Sequence, residues 1–241
     1  MPKALFNWSG GKDSALALYH LLQDDAYDTV QLLTTASATL GRVSMHGVRM
    51  NLVEQQAQAL GLPLHWLRLP EPVPMPVYER MMEATLTAFR ARQYDYSVFG
   101  DIFLEDLKAF REKNLAKAGM QGVFPLWKRD SRQLVEEFIE LGFKAVVVCV
   151  NARHLDASFA GRPLDYDFLR DLPPGVDPCG ENGEYHSFVY DGPLFREPVR
   201  FTPGEKVFRT YAPAPKDDDN CFAAQPAPFD TGFWYLDLLP L

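Results

Sequence analysis

The hexapeptide Ser9-Gly10-Gly11-Lys12-Asp13-Ser14 separates two stretches of different hydrophobic pattern. Residues 4–8, before it, form a short apolar run that indicates a strand. After it, apolar side chains recur at helical spacing, at Ala15, Leu16, Leu18, Tyr19, Leu21 and Leu22. The first unit is therefore predicted to be a strand, a glycine turn and a helix. We call residues 9–14 the glycine loop.

The composition of the glycine loop predicts a phosphate site. Its two glycines let the backbone bend and approach an anion closely, and the following helix offers unpaired N–H groups at the positive end of its dipole. Lys12 adds a positive charge, and Ser9 and Ser14 add hydroxyl donors. Asp13 would repel phosphates unless a divalent cation lay between them, so it predicts Mg²⁺ as a cofactor and itself as the metal ligand. The alternative is an exposed turn before a capped helix.

Two better-known phosphate loops do not match this segment. A Walker A loop needs a glycine five positions before the glycine that precedes its lysine, and that position is Phe6. The dinucleotide pattern G-x-G-x-x-G is also missing around the loop. The site therefore belongs to a different class of nucleotide-binding loop.

Strand and helix patterns alternate along the first two thirds of the chain. Further strands are predicted over residues 30–36, 64–69, 94–99 and 144–150, and helices over 48–60, 77–93, 105–118 and 131–141. We expect a loop over 37–47, a helix C-cap at Gly61, an extended proline-rich connector over 70–76 and a helix N-cap at Ser131. This alternation predicts an α/β fold with a mainly parallel sheet flanked by helices.

A change of domain is predicted near residue 128, because the strand–helix rhythm weakens beyond it. We expect one domain over 1–128, which includes the glycine loop, and a smaller mixed α+β domain over 129–241, with an irregular stretch over 212–230. Ligands of parallel sheets bind at the carboxyl ends of the strands. Gly100 and Asp101 follow a predicted strand and His46 lies in the loop after another, so they are candidates to share the crevice of the glycine loop.

A second dense motif runs from Cys179 to Val189, and we call it the acidic segment. In a strand, Glu184, His186 and Phe188 would face one way. Glu181, Glu184 and His186 would then form a cluster in which the acids hold an ammonium group and the imidazole accepts a proton. The alternative is a hairpin with a solvated polar face.

The length, net charge and cysteine spacing of the chain argue against several classes of protein. The 241 residues allow one large or two small domains, and the net charge of −8 argues against non-specific binding of nucleic acid. The cysteines Cys149, Cys179 and Cys221 form no C-x-x-C pair, so neither a disulfide framework nor a zinc knuckle is expected. The sequence shows no signal peptide and no membrane-spanning run, so a cytoplasmic location is expected.

The glycine loop resembles the PP-loop, S-G-G-x-D-S, of the N-type ATP pyrophosphatases. That resemblance implies a HUP-type (Rossmann-like) domain that cleaves ATP between its α- and β-phosphates. The motif Gly180-Glu181-x-Gly183-Glu184-Tyr185, followed by Phe188-x-x-Asp191-Gly192-Pro193-Leu194-Phe195, is similar to the hallmark of the diphthine–ammonia ligase family. Further similarity lies at His46-Gly47-Val48, Phe99-Gly100-Asp101-Ile102, Pro125-Leu126-Trp127, Leu155 and Gly161-Arg162-x-Leu164, and it spans residues 3 to about 196.

This resemblance implies a ligase that uses ATP and ammonia. An acceptor carboxylate, on a protein side chain or a small molecule, would attack the α-phosphorus and release pyrophosphate. Lys12 and Mg²⁺ would stabilise the developing charge, and ammonia held near Glu181 and Glu184 would displace AMP. Position 186 carries His where the resemblance leads us to expect an acid, so the acceptor stays open.

Three other hypotheses stay open. An RNA thiolase of the same superfamily would want a cysteine that carries persulfide, and Cys179 is the thiol nearest to a motif. A nucleotide-binding module without catalysis would bind ATP and release no pyrophosphate. Residues 233–236 could dock the chain on its own core or on a partner, and a homodimer is one such assembly.

Overall fold

The computed structural model describes residues 2–24, 26–27, 29–44, 47–210 and 232–241. Its first sheet contains β1 (Lys3–Asn7), β2 (Thr29–Ser37), β3 (Arg42–Val43), β4 (Leu64–Leu69), β5 (Tyr94–Val98) and β6 (Gln121–Val123). The main strands lie in the order β4-β2-β1-β5-β6, and every neighbouring pair among them is parallel. The predicted parallel sheet is therefore confirmed.

The helices that cross between these strands are α1 (Lys12–Gln23), α2 (Met50–Leu60), α3 (Met75–Ala91) and α4 (Glu105–Lys117). Helix α5 (Ser131–Glu140) follows β6 and leads to the second sheet. The predicted C-cap of α2 is confirmed, because Gly61 has a φ of 68° in the left-handed region. Three local predictions are wrong. The expected loop over 37–47 contains the short strand β3, which pairs with the end of β2. Helix α3 begins inside the proline-rich connector, since Pro76 lies in its first turn, where a missing N–H costs nothing. Helix α5 is capped by Asp130, whose carboxylate accepts from the Gln133 amide, and not by Ser131.

The second sheet contains β7 (Lys144–Asn151), β8 (Tyr185–Asp191), β9 (Phe201–Thr210) and β10 (Gly232–Pro240), with the short helix α6 (Tyr166–Asp171) between β7 and β8. Its order is β8-β7-β10-β9, and its pairings are antiparallel. The chain changes sheet between β6 and β7, which agrees with the predicted domain change near residue 128; the boundary itself stays a prediction. One segment predicted as irregular, 212–230, lies outside the described residues.

The two sheets share one hydrophobic core. Phe6 and Trp8 from the end of β1 belong to the same buried cluster as Val147 of β7 and Phe188 of β8. Residues 233–236, predicted to dock on a core or a partner, lie in β10 between β7 and β9. None of the helices in the described ranges is long and apolar enough to cross a membrane.

A carboxylate between two arginines ties β10 to the first sheet. The Asp237 oxygens accept from Arg42 Nη1 at 2.8 Å and from Arg49 Nη2 at 2.6 Å. Hydrogen bonding from Arg49 is the main cause that lowers the pKa of Asp237 to about 2, with Arg42 adding to it and burial opposing it.

We expect Asp237→Asn to destabilise the protein by about 1–2 kcal/mol at neutral pH, a value discounted for the partial exposure of both arginines. Because the folded pKa is depressed, this stability is present above pH 4 or so and is lost as the pH falls towards 2. Urea unfolding of both proteins at pH 7 and at pH 2.5 measures it. A gap that persists unchanged at pH 2.5 would contradict the ion-pair explanation.

Candidate functional site

The glycine loop lies at the carboxyl end of β1, at the start of α1. Gly10 has a φ of 82°, which a residue with a side chain adopts only at a cost. The Ser9 hydroxyl donates to Ser14 Oγ at 3.0 Å, and the Ser14 hydroxyl donates to the Gly11 carbonyl at 2.9 Å. The Gly11 amide points at Ser9 Oγ, at 3.3 Å. The loop thus brings two hydroxyls together at a helix N-terminus, and its binding of an anion stays a prediction.

Strand β8 of the second sheet runs alongside the loop. The Val189 amide donates to the Gly10 carbonyl at 2.9 Å, and the Lys12 amide donates to Ser187 Oγ at 3.1 Å. The glycine loop is therefore shaped by residues more than 170 positions away in the sequence. Ser187 and Val189 belong to the acidic segment, so the two motifs meet in one place.

The Lys12 side chain lies between the two motifs and is 4% exposed. Its ammonium contacts Asp13 Oδ2 at 2.8 Å, donates to the Cys179 carbonyl and lies 4.9 Å from the centre of the Tyr185 ring. Burial alone would lower the pKa of Lys12, but the Asp13 carboxylate and the other acidic groups nearby raise it above its ordinary value. Its predicted role towards phosphate stays a prediction; the geometry gives it a second role as a link to Cys179.

The end of β5 packs against the start of α1. A Cβ at Gly100 would lie 2.9 Å from the Asp13 carbonyl carbon and 3.0 Å from the Ser14 nitrogen. Asp101, which follows, accepts from Arg111 Nε at 2.5 Å and from Arg111 Nη2 at 3.1 Å. An Asp101 oxygen would thus reach a nucleotide or metal only in competition with the Arg111 guanidinium.

A tight turn leads into the acidic segment, and Asp177, just before the segment, makes hydrogen bonds across this turn. The Glu181 amide donates to Asp177 Oδ2 at 2.9 Å, and the Asp177 amide donates to Glu184 Oε1 at 3.2 Å. Glu181 Oε1 in turn accepts from the Ile102 amide at 2.9 Å, so this turn reaches the loop after β5. Burial, reinforced by the negative charges of Asp13 and Asp101, raises the pKa of Glu181 to about 7. A carboxylate poised near neutrality can accept a proton.

Glu184 differs from Glu181 in its surroundings. It is 2% exposed, and its Oε2 atom is a buried acceptor with no hydrogen-bond donor. Its Oε1 atom accepts from Asn182 Nδ2 at 3.1 Å. A buried carboxylate oxygen without a donor is costly, so this position suits a small molecule that brings N–H groups.

Of the predicted acid–imidazole cluster, Asp177 links the Glu181 backbone amide to the Glu184 carboxylate, and the grouping of the two carboxylates stays a prediction. Strand β8 begins after Glu184, and a bulge in its pairing with β7 places His186 opposite Cys149. Ser187, Phe188 and Val189 are all buried, so both faces of β8 are covered at this point and neither is the solvated polar face of the alternative interpretation. The role of His186 stays a prediction, and His46 lies outside the described residues.

The donor set near the glycine loop fits a metal that is held mainly by substrate. No group of three His, Cys, Asp or Glu side chains able to hold a metal occurs in the described ranges. Mg²⁺ commonly keeps its waters and binds through one or two carboxylates plus substrate phosphates. Asp13, whose side chain is 28% exposed at the start of α1, can supply such a carboxylate.

A parallel sheet in the order β4-β2-β1-β5-β6, with the glycine loop between β1 and α1, defines a HUP-type α/β protein. The comparison with protein families is more specific: residues 2–122 match the diphthamide synthase N-terminal domain, and residues 130–212 match the diphthamide synthase C-terminal domain. The chain belongs to the diphthamide synthase family.

Individual relatives agree with this assignment. The diphthine–ammonia ligase of Bos taurus is 28% identical, and the alignment covers 83% of this chain and 82% of the relative. The diphthine–ammonia ligase of Danio rerio is 29% identical, with 84% and 87% covered. Among solved structures, a predicted subunit of tRNA methyltransferase from Methanocaldococcus jannaschii matches with a TM-score of 0.40 and 19% identity, over 60% of this chain and 77% of that one.

Four side chains that contribute to the site were not among the predicted residues: Gln56, Arg111, Asp177 and Ser187. Of these, only Gln56 carried a signal, since a polar side chain stands on the apolar face of α2 beside Leu52, Val53 and Ala57. The other three act through contacts that depend on how the two sheets meet.

Proposed function

We propose that this protein is an ATP-dependent ligase that joins ammonia to a carboxylate through an acyl adenylate and releases AMP and pyrophosphate. The observation that carries the proposal is the meeting of the two motifs. Lys12 reaches the Cys179 carbonyl, and Ile102, just after the end of β5, reaches Glu181. These contacts bring the glycine loop and the loop after β5 to the acidic segment, which carries the half-buried Glu181 and the buried Glu184. Membership of a family whose relatives are named diphthine–ammonia ligases supports it.

In the first half-reaction, the glycine loop would hold the triphosphate of ATP. The Ser9 and Ser14 hydroxyls and the loop amides would donate to phosphate oxygens. Asp13 would hold Mg²⁺, which would supply charge neutralisation when bound. An oxygen of the acceptor carboxylate attacks the α-phosphorus. The bond between the α-phosphorus and the bridging oxygen breaks, and pyrophosphate leaves.

In the second half-reaction, ammonia attacks the acyl carbon and AMP leaves with the oxygen. Glu184, with its unpaired buried oxygen, is suited to hold ammonia by accepting an N–H bond. Glu181, with a pKa near 7, is suited to accept the proton that the nitrogen loses. His186 is a second candidate for that proton.

The acceptor is a carboxylate on a protein side chain or a small molecule, and the names of the relatives make diphthine the first to test. The test is incubation of the protein with ATP, labelled ammonium and either diphthine-containing protein or cell extract. We expect AMP, pyrophosphate and a labelled amide product. ADP as the product would contradict the proposal. Nucleotide binding without pyrophosphate release would favour the module without catalysis.

The thiolase hypothesis requires a reactive cysteine beside the glycine loop. Cys179 is 2% exposed and its thiol donates to the Ser131 carbonyl at 3.2 Å. Burial raises the pKa of the Cys179 thiol, which opposes formation of a thiolate. The arrangement therefore favours the ligase, and full turnover by Cys179→Ala would agree with that choice.

We expect the activity to depend on ionisation of Glu181. Because its pKa is raised to about 7, most of this carboxyl is protonated at pH 6 and most is ionised at pH 8. Glu181→Gln keeps an oxygen for the Ile102 amide but cannot accept a proton, so we expect about a hundredfold slower amide formation at pH 8. The ratio of wild-type to variant rates should shrink by about tenfold per pH unit below 7.

Rates of AMP formation at one fixed concentration of free ammonia, from pH 5.5 to 8.5, measure this ratio. Glu105→Gln, which changes an exposed acid at the start of α4, is the control and should match the wild type. A ratio that is constant over this pH range would remove Glu181 as the proton acceptor.

A further inference from the structure

We infer that Gln56 is a positioning residue that aims the Gly11 amide at the phosphates of ATP. This inference rests on the proposed nucleotide site and names a residue outside both motifs. Gln56 lies on α2, and its side chain is fully buried. A buried amide is costly unless its hydrogen-bonding groups are matched, so its partners indicate what it holds in place.

Gln56 joins three backbone segments that converge at the loop. Its Nε2 donates to the Gly10 carbonyl at 3.0 Å and to the Val189 carbonyl at 2.6 Å. Its Oε1 accepts from Trp8 Nε1 at 3.0 Å. Since the indole nitrogen is only a donor, the atom facing it must be the oxygen, which fixes the orientation of the amide.

The consequence for the loop follows from the planarity of the peptide bond. In a trans peptide the carbonyl of one residue and the N–H of the next point in opposite directions. The Gly10 carbonyl is held from one side by both Gln56 and the Val189 amide. The Gly11 N–H must therefore point away from the core, and it does, towards Ser9 Oγ at 3.3 Å.

The same contact explains the close packing of Gly10. A Cβ at this position would lie 2.7 Å from Gln56 Oε1, and the φ of 82° already disfavours a side chain. The Gln56 side chain thus occupies the space that any side chain at position 10 would need. Without Gln56 the Gly10 carbonyl keeps only the Val189 amide as a donor, and the peptide is freer to rotate. Rotation turns the Gly10 oxygen towards the phosphates, which it repels.

The test compares Gln56→Met and Gln56→Glu with the wild-type protein. Methionine keeps the volume and loses every bond; glutamate keeps the acceptor for Trp8 and loses both donated bonds. We expect each variant to bind Mg²⁺·ATP and Mg²⁺·pyrophosphate about tenfold or more weakly, the cost of a misdirected amide at an anion. Affinity for adenosine, which lacks phosphates, should change by less than about twofold. Isothermal titration measures all three ligands.

Thr34→Val is the matched control. The Thr34 hydroxyl is 2% exposed and donates to the Trp8 carbonyl at 2.7 Å, so its loss removes a buried hydrogen bond beside the loop without touching the Gly10 peptide. This variant should be destabilised by a similar amount and bind all three ligands as the wild type does. Urea unfolding establishes that each variant is folded.

Equal weakening for adenosine and the phosphates, or phosphate binding as tight as in the wild type, would overturn the positioning role. Failure of both Gln56 variants to fold would do so too, because the residue would then serve the fold alone. If the wild-type protein itself binds neither ATP nor pyrophosphate, the proposed function fails instead.

Discussion

Asp13→Asn is expected to slow pyrophosphate release by about a thousandfold, because it removes the carboxylate that we propose as the ligand of Mg²⁺ beside the triphosphate. Asn has nearly the same shape, so the fold should survive. Lys12 would lose one partner and keep the Cys179 carbonyl. Release of pyrophosphate in the presence of ammonium and acceptor, with the fold followed by circular dichroism, measures the effect.

The affinity of Asp13→Asn for ATP should change in opposite directions in the presence and in the absence of Mg²⁺. With Mg²⁺ present, Asp13→Asn should bind ATP more weakly than the wild type; in excess chelator it should bind more tightly, since a repelling charge is gone. Asp106→Asn, which changes an exposed acid in the first turn of α4, should show neither effect. A variant that keeps full activity, or a difference in affinity of the same sign under both conditions, would show that Asp13 does not act through a metal.

Gly100→Ala is expected to lower ATP turnover by about a hundredfold, a loss typical of reacting groups displaced by about 1 Å. The added methyl group would lie 2.9 Å from the Asp13 carbonyl carbon, and this neighbour is backbone that cannot rotate aside. The start of α1 must therefore shift, together with the loop amides. The strain should also destabilise the protein by about 1–3 kcal/mol.

Gly142→Ala controls for the loss of stability. Gly142 has a φ of 83° and open space around the position of a Cβ, so alanine is strained there, by about 1 kcal/mol, without pressing on the loop. Steady-state rates and urea midpoints of both variants separate the two effects. Turnover by Gly100→Ala equal to that of Gly142→Ala would mean that contact between β5 and the glycine loop does not set the geometry of the site.

Much of the first sheet could be predicted because its signals are local. The glycine loop, the apolar run before it and the C-cap at Gly61 each depend on neighbouring residues. The parallel direction of the strands could then be predicted from the alternation of strands and helices. The errors at Pro76 and Asp130 are local too: each is a choice between adjacent positions at a helix start, where the patterns are weakest.

The candidate site could be predicted only in part, because it is assembled by tertiary contacts. The residue types of the glycine loop and of the acidic segment indicate their chemistry, and the family resemblance indicates that they act together. That Ser187 binds the Lys12 amide, or that Lys12 turns inward to the Cys179 carbonyl, depends on how β8 packs against the loop. Gln56 shows the limit: its position on an apolar helix face is visible in the sequence, but its three partners are not.

Binding of ATP phosphates by the glycine loop is tested most directly by a crystal structure with a non-hydrolysable ATP analogue and Mg²⁺. We predict that the phosphates contact the Ser9 and Ser14 hydroxyls and the Gly11 amide, and that a metal ion bridges them to Asp13. An analogue bound elsewhere, with the Gly11 amide still on Ser9 Oγ and the Lys12 ammonium still on Asp13, would contradict the account.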